Sequence, residues 1–262
     1  MLINTVLLFL HNALPVFIIT SLLLRYFSVN NIELNNRKWL LFCVFLTIMA
    51  SFFLSSNLES LSQEFSGKGS ELFLSVGAIL VYLSIITLII LSNIHHCVAV
   101  KKCLAFITFF IISSINGAHF IIYLLHYWTQ AQQEETIVVG IILGGGICLS
   151  ITILFYFLLR YMDKNIYSKI SGYFLLFFAL GQLMQAIVFL QQVDILSSSQ
   201  PVWDSGHLIA ENSGIGQLLT VLFGYETTPS LLQLFIYTVA LIIPLVCTKL
   251  PYILLFLNGK KS

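Results

Sequence analysis

Charge is what this sequence has least of. Asp, Glu, Lys and Arg together make up 9% of its 262 residues, against about 25% in a typical soluble domain. The 12 basic and 11 acidic side chains are too few to coat a soluble protein of this length. They are also too evenly balanced for a nucleic-acid partner, and the apolar content excludes a disordered scaffold. Paired cysteine motifs are missing as well. Cys43, Cys97, Cys103, Cys148 and Cys247 show no C-x-x-C spacing and sit in or beside apolar runs, where a free cysteine acts as a small hydrophobe. No Asp or Glu stands deep inside any long apolar run, although pumps and cation transporters usually carry carboxylates there. With 58% hydrophobic residues and a mean hydropathy of +0.97, the chain has the lipid bilayer as its partner.

The apolar residues fall in long runs. A spanning helix needs about 20 mostly apolar residues, and seven segments qualify: 5–27, 39–56, 72–94, 103–128, 136–161, 170–191 and 230–257. The reading is an all-α membrane protein in which residues 1–262 form a single multi-pass domain, with 192–229 as a long outer connector. The first run lacks a basic start and is too long for a signal peptide, so it is expected to stay as the first helix. Pro244 and Pro251 fall in the last run, where neighbouring helices can re-satisfy the freed carbonyls.

Where the few charges lie sets an orientation. Arg25, Arg37, Lys38, Lys101, Lys102, Arg160, Lys164, Lys169, Lys249, Lys260 and Lys261 all fall on one side of the seven segments, and only Lys68 falls on the other. Most acids do the opposite, Glu33 and Asp163 excepted. The excess of basic residues on the cytoplasmic face puts the N-terminus outside and the C-terminus in the cytoplasm, in the cytoplasmic (inner) membrane.

With an odd number of helices, a three-plus-three repeat with one extra helix is possible. The first three helices would start outside and the next three inside, so the repeat would be inverted, as in many transporters. His11-Asn12-Ala13-Leu14-Pro15 is faintly echoed by Ile115-Asn116-Gly117-Ala118-His119. At 1.5 Å rise per residue, His11 and His119 both lie roughly 12–13 Å below the outer surface.

These clusters supply the candidate pathway residues: His11, Asn12, Asn116, His119 and His126. Neutral imidazole binds soft and borderline cations, so His11 and His119 are the candidate metal ligands; a hydrogen-bonded packing role is the alternative. Gln182 and Gln185 are read first as interhelical packing residues. His95 and His96 are read as interfacial. Gly140 and Gly144 form a small-xxx-small pattern that permits close helix approach. The connector carries an apolar, glycine-bounded stretch that predicts a short helix on the outer leaflet, either a lid or a folded link. No acid and no Ser/His/Asp set sits at one depth, so the chain does not read as an enzyme.

Ser171-Gly172, Pro201-Val202-Trp203-Asp204, Gly214-Ile215-Gly216-Gln217-Leu218-Leu219, Phe223-Gly224-Tyr225 and Pro229-Ser230-Leu231-Leu232-Gln233 together resemble the high-affinity iron permease family, which includes the fungal iron permease and the bacterial elemental-ferrous-type uptake permease. The likeness covers about residues 170–240. It implies seven helices, the same orientation, transport of iron or a related divalent metal, and outer-face iron-uptake proteins or an intact permease as partners. The family's Arg-Glu-x-x-Glu motifs fall on His11, Asn12 and Pro15, and on Ile115, Asn116 and His119; none of their functional residues is kept. A hard ferric ion prefers carboxylate oxygen, whereas imidazole suits softer ions. Two other readings stand beside transport: a non-transporting structural or regulatory subunit of an iron-uptake assembly, and a haem protein with His11, His119 or His126 as axial ligands. The transport reading needs no resident cofactor; the metal is cargo.

Overall fold

The computed structural model describes residues 2–30, 32, 37–93, 97–130, 134–165, 170–197, 200–211 and 213–259. The side chains at 2–4, 37–42, 59, 64, 66, 93, 126–130, 134–137 and 248–259 are not among those described. The expectations for His95, His96 and the side chain of His126 therefore lie outside the described residues.

The chain is helical nearly throughout. Its helices are α1 (Leu2–Val29), α2 (Arg37–Gly67), α3 (Gly69–Ile90), α4 (Val98–Gln130), α5 (Glu134–Asn165), α6 (Ile170–Gln192), α7 (Gly214–Phe223) and α8 (Leu231–Gly259), with one 3-10 turn at Leu91–Asn93. Among the described residues, five stretches are long and apolar enough to cross a membrane: Thr5–Val29, Gly69–Ile90, Val98–Leu125, Val138–Asn165 and Ile170–Gln192. Among the described residues, α2 and α8 contribute the shorter apolar stretches Cys43–Leu58 and Leu231–Cys247. This is a multi-pass membrane protein in composition and architecture.

Helices α1, α3, α4 and α6 form the middle of the bundle. Ile18, Ile19 and Leu22 of α1 meet Val81, Ile85 and Leu88 of α3 and Leu175 and Phe178 of α6 in the main core cluster. In lipid, such contacts gain little from excluding water, so close fit and small residues decide which faces meet. Helix α5 packs on α1, and Gly144 permits it: a Cβ there would stand 2.9 Å from Cβ of Phe9. Helix α2 packs on α4, where Ser51 lies so close to Gly117 that a Cβ has no room.

The packing pattern has an internal regularity. The pairs in contact include α1 with α5, α2 with α4, α1 with α6, α3 with α4, α2 with α3, α5 with α6, α1 with α4 and α3 with α6. Exchanging α1 for α4, α2 for α5 and α3 for α6 carries each of these pairs into another of them or into itself. The outer helix of each triplet also uses small residues at four-residue spacing: Cys43, Thr47 and Ser51 on α2, and Gly140, Gly144 and Cys148 on α5, all buried.

Polar side chains fasten the two ends of the bundle. At the basic end, Arg25 Nε donates to Asp163 Oδ2 at 2.7 Å, and Asp163 Oδ1 accepts from the backbone N–H of Ser171 at 2.9 Å. One buried carboxylate thus joins α1, α5 and the first turn of α6. Tyr26 donates to the Leu88 carbonyl at 2.8 Å, and Lys101 to the Ser92 carbonyl at 3.4 Å.

Beyond α6 the connector is folded. Val202 N–H donates to the Pro229 carbonyl and Ser205 N–H to the Thr227 carbonyl, both at 2.9 Å. Helix α7 starts at Ser213, whose hydroxyl accepts from Gly216 N–H at 3.0 Å. It ends at Gly224, in the left-handed region at φ 67°, a conformation only glycine adopts cheaply.

Candidate functional site

A polar cavity lies between the apolar helices. It measures about 560 Å³ and is walled by α1, α3, α4 and α6. Its polar lining comprises His11 and Asn12 from α1, Asn116, His119 and Tyr123 from α4, and Gln182 and Gln185 from α6. Helical spacing explains the grouping. Leu8, His11 and Asn12 share one face of α1, and Ile112, Ile115, Asn116 and His119 share one face of α4. Leu74, Ala78 and Val81 of α3 make the cavity's apolar side.

The two asparagines are held alike. Asn12 Nδ2 donates to the Leu8 carbonyl at 3.2 Å, and Asn116 Nδ2 to the Ile112 carbonyl at 2.8 Å. Each amide spends a donor on its own helix, a turn back, which leaves its oxygen as an acceptor at the cavity. Pro15 adds another acceptor. Lacking an N–H, it cannot bond the carbonyl of His11, so that oxygen leaves the helical ladder at a lining residue. Asn12 and Gln182 are buried, at 8% and 9% exposure. The side chains of His11, His119, Gln182 and Gln185 make no hydrogen bond among the described residues.

A second cavity of about 310 Å³ adjoins the first and shares His11, Asn116, Gln182, Gln185 and Phe189 with it. Its far wall is the connector: Glu211, Gln217, Thr220, Tyr225 and Glu226. Glu211 Oε1 is fixed by the N–H and hydroxyl of Thr227 at 2.6 and 2.8 Å. Burial, then the charge of Glu211, push the Glu226 carboxyl above its ordinary value, while the Gln233 side chain pulls it down. Helix α7 is pinned above this space because Gly181 and Gly224 meet backbone to backbone; a Cβ on Gly224 would come within 2.8 Å of the Gly181 Cα.

The structure thus gathers His11, Asn12, Asn116 and His119 around one space. It adds four residues not singled out for this role in the sequence. Gln182 and Gln185, one turn apart on α6, line the cavity. Glu211 and Glu226 line the adjoining cavity, and only the fold of the connector brings them there. Chemically the first cavity offers imidazole nitrogens and amide oxygens without a carboxylate, Lys or Arg in its lining, and the adjoining cavity adds two carboxylates. Among the described residues, no three His, Cys, Asp or Glu side chains cluster as a metal site. No protein-family model, no curated protein and no solved structure matches this chain.

Proposed function

We propose that this protein is a permease for iron or a related divalent metal ion, carried across the cytoplasmic membrane through the His–Asn–Gln cavity. The observation that carries the reading is the meeting of His11, Asn12, Asn116 and His119 in one cavity, next to an entrance lined by Glu211 and Glu226. Two carboxylates at the entrance draw cations in by long-range attraction. Inside, imidazole nitrogen and amide or backbone oxygen replace part of the hydration shell, a donor set that favours borderline divalent ions over a hard trivalent one. The architecture is that of seven spans, with α2 and α8 as the second and last, the N-terminus outside and the C-terminus in the cytoplasm. The exchange regularity of the packing supports an inverted three-plus-three repeat, with α8 as the extra helix. On this reading the chain is a divergent relative of the iron permeases that has replaced the motif carboxylates with neutral donors.

Uptake of ferrous, zinc and manganese ions into proteoliposomes tests the proposal. Wild-type protein should load a divalent ion, and the His11→Ala/His119→Ala double variant should fall to the rate of empty liposomes. Equal rates for wild type and double variant would sink it. The lack of any carboxylate in the inner lining favours one competing reading, a non-transporting subunit of an iron-uptake assembly. That protein would be inert alone and would co-purify with an intact permease.

A further inference from the structure

We infer that the basic end of the bundle carries a binding site for an anionic phospholipid, with an acyl chain in the cleft between α1 and α2 and the headgroup on Lys102. The inference is independent of what the central cavity transports. Helices α1 and α2 each pack on α4 and only slightly, if at all, on each other, so a cleft floored by α4 remains between them. It encloses about 180 Å³, with Thr20, Leu24 and Phe27 on one wall and Lys102, Ala105 and Phe109 on the floor. The hydroxyl of Thr20 is spent on the Val16 carbonyl at 2.6 Å, which leaves Lys102 as the one charged residue in the groove's described lining.

Position and charge both fit a lipid. From Thr20 to Phe27, and from Phe109 back to Lys102, each helix wall runs about 10 Å along its axis. Because α1 ends where α4 begins, Lys102 and Phe27 belong to the same end of the groove and the apolar walls run inward from there, as an acyl chain below its headgroup requires. The other described basic side chains on α1 and α4 are engaged, Arg25 with Asp163 and Lys101 with Ser92. Lys102 has no partner among the described residues. A cation without a partner among the described residues, next to an apolar groove, complements a phosphate that carries net negative charge, and basic pockets between helices are how such headgroups are held. A zwitterionic headgroup brings its own cation and complements Lys102 less well.

Native mass spectrometry of the purified full chain tests this, with phosphatidylglycerol and phosphatidylcholine of identical acyl chains added at equal concentration. Wild-type protein should retain phosphatidylglycerol about fivefold better, the contribution of one basic side chain. Lys102→Gln should bring that ratio close to one, Lys102→Arg should keep it, and Lys164→Gln, at the same end but outside the groove, should leave it unchanged. Ala105→Phe, which fills the floor, should lower retention of both lipids. Glycerol phosphate should not displace the bound lipid. Equal retention of both lipids by wild type, a ratio unmoved by Lys102→Gln, or displacement by glycerol phosphate would each overturn the assignment.

Discussion

The ammonium of Lys68 donates to the carbonyl of Val193 at 2.6 Å, across 125 residues of chain. In the seven-segment reading of the sequence Lys68 is the one Lys or Arg on the acidic side, and this contact gives its ammonium a partner. Val193 lies just past the end of α6, where unpaired carbonyls carry the negative end of the helix dipole. Lys68 precedes α3 as its N-cap residue. The contact therefore ties the α2–α3 hairpin to the end of the helix that supplies Gln182 and Gln185.

Replacing Lys68 by Ala should cost about 1–2 kcal/mol, since the lost bond is charge-assisted and caps a helix end. Thermal unfolding in detergent should show a lower midpoint for Lys68→Ala and a nearly normal one for Lys68→Arg. No change in Lys68→Ala would mean that the contact contributes nothing.

Asp163 serves both Arg25 and the N–H of Ser171, and the side chains of the ion pair are 12% and 2% exposed. Losing the carboxylate leaves a mostly buried guanidinium without its counter-ion, a cost of about 3 kcal/mol. Asp163→Ala should be worse than Asp163→Asn, which keeps an acceptor for Ser171. Denaturant or thermal titration should rank the three proteins in that order.

Gly224→Ala should loosen α7 from α6. The substitution forces a side chain into left-handed backbone at φ 67°, a penalty of about 1–2 kcal/mol, and drives its Cβ against Gly181. Faster proteolysis of the connector, with the rest of the bundle intact, is the expected signature. Gly214→Ala, which meets open space, is the matched control.

The Glu226 carboxyl is raised from its ordinary value of 4.5 by burial and then by Glu211. The folded chain therefore keeps this proton to a higher pH than the unfolded chain does. Ionising Glu226 costs stability as pH rises from 4.5 through the folded value, and acidification across that window relieves the cost. The same protonation removes charge from the cavity entrance. Metal uptake should begin to fall on acidification above pH 4.5, and Glu226→Gln should lower uptake at neutral pH and flatten that limb.

Asn116→Asp places a carboxylate in the cavity lining. It should shift selectivity from zinc or ferrous ion toward harder manganese, because carboxylate oxygen suits harder ions. Competition uptake with paired isotopes measures the ratio, and an unchanged ratio would show that the ion does not meet residue 116.

Much of the fold was legible because bilayer chemistry writes directly into sequence. Backbone groups without water must be paired within helices, so long apolar runs mark helices such as Gly69–Ile90 and Ile170–Gln192. Basic residues mark the ends of those runs. Helical spacing also put His11 beside Asn12 on one face, and Asn116 beside His119 on another. The ranking of the glutamines was less legible, because an amide that glues helices and an amide that lines a cavity look alike until the facing helix is known.

By itself, then, the sequence determined a membrane medium, the helical elements and the scarcity of charge within the long apolar runs, since each follows from composition and local spacing. Tertiary structure alone decided which faces meet. Close approach at Gly144, Gly117 and Gly181 selects partners that hydropathy cannot distinguish. That packing brings α1, α4 and α6 together around a cavity, turns the connector so that Glu211 and Glu226 line the adjoining one, and sets Lys68 on the end of α6.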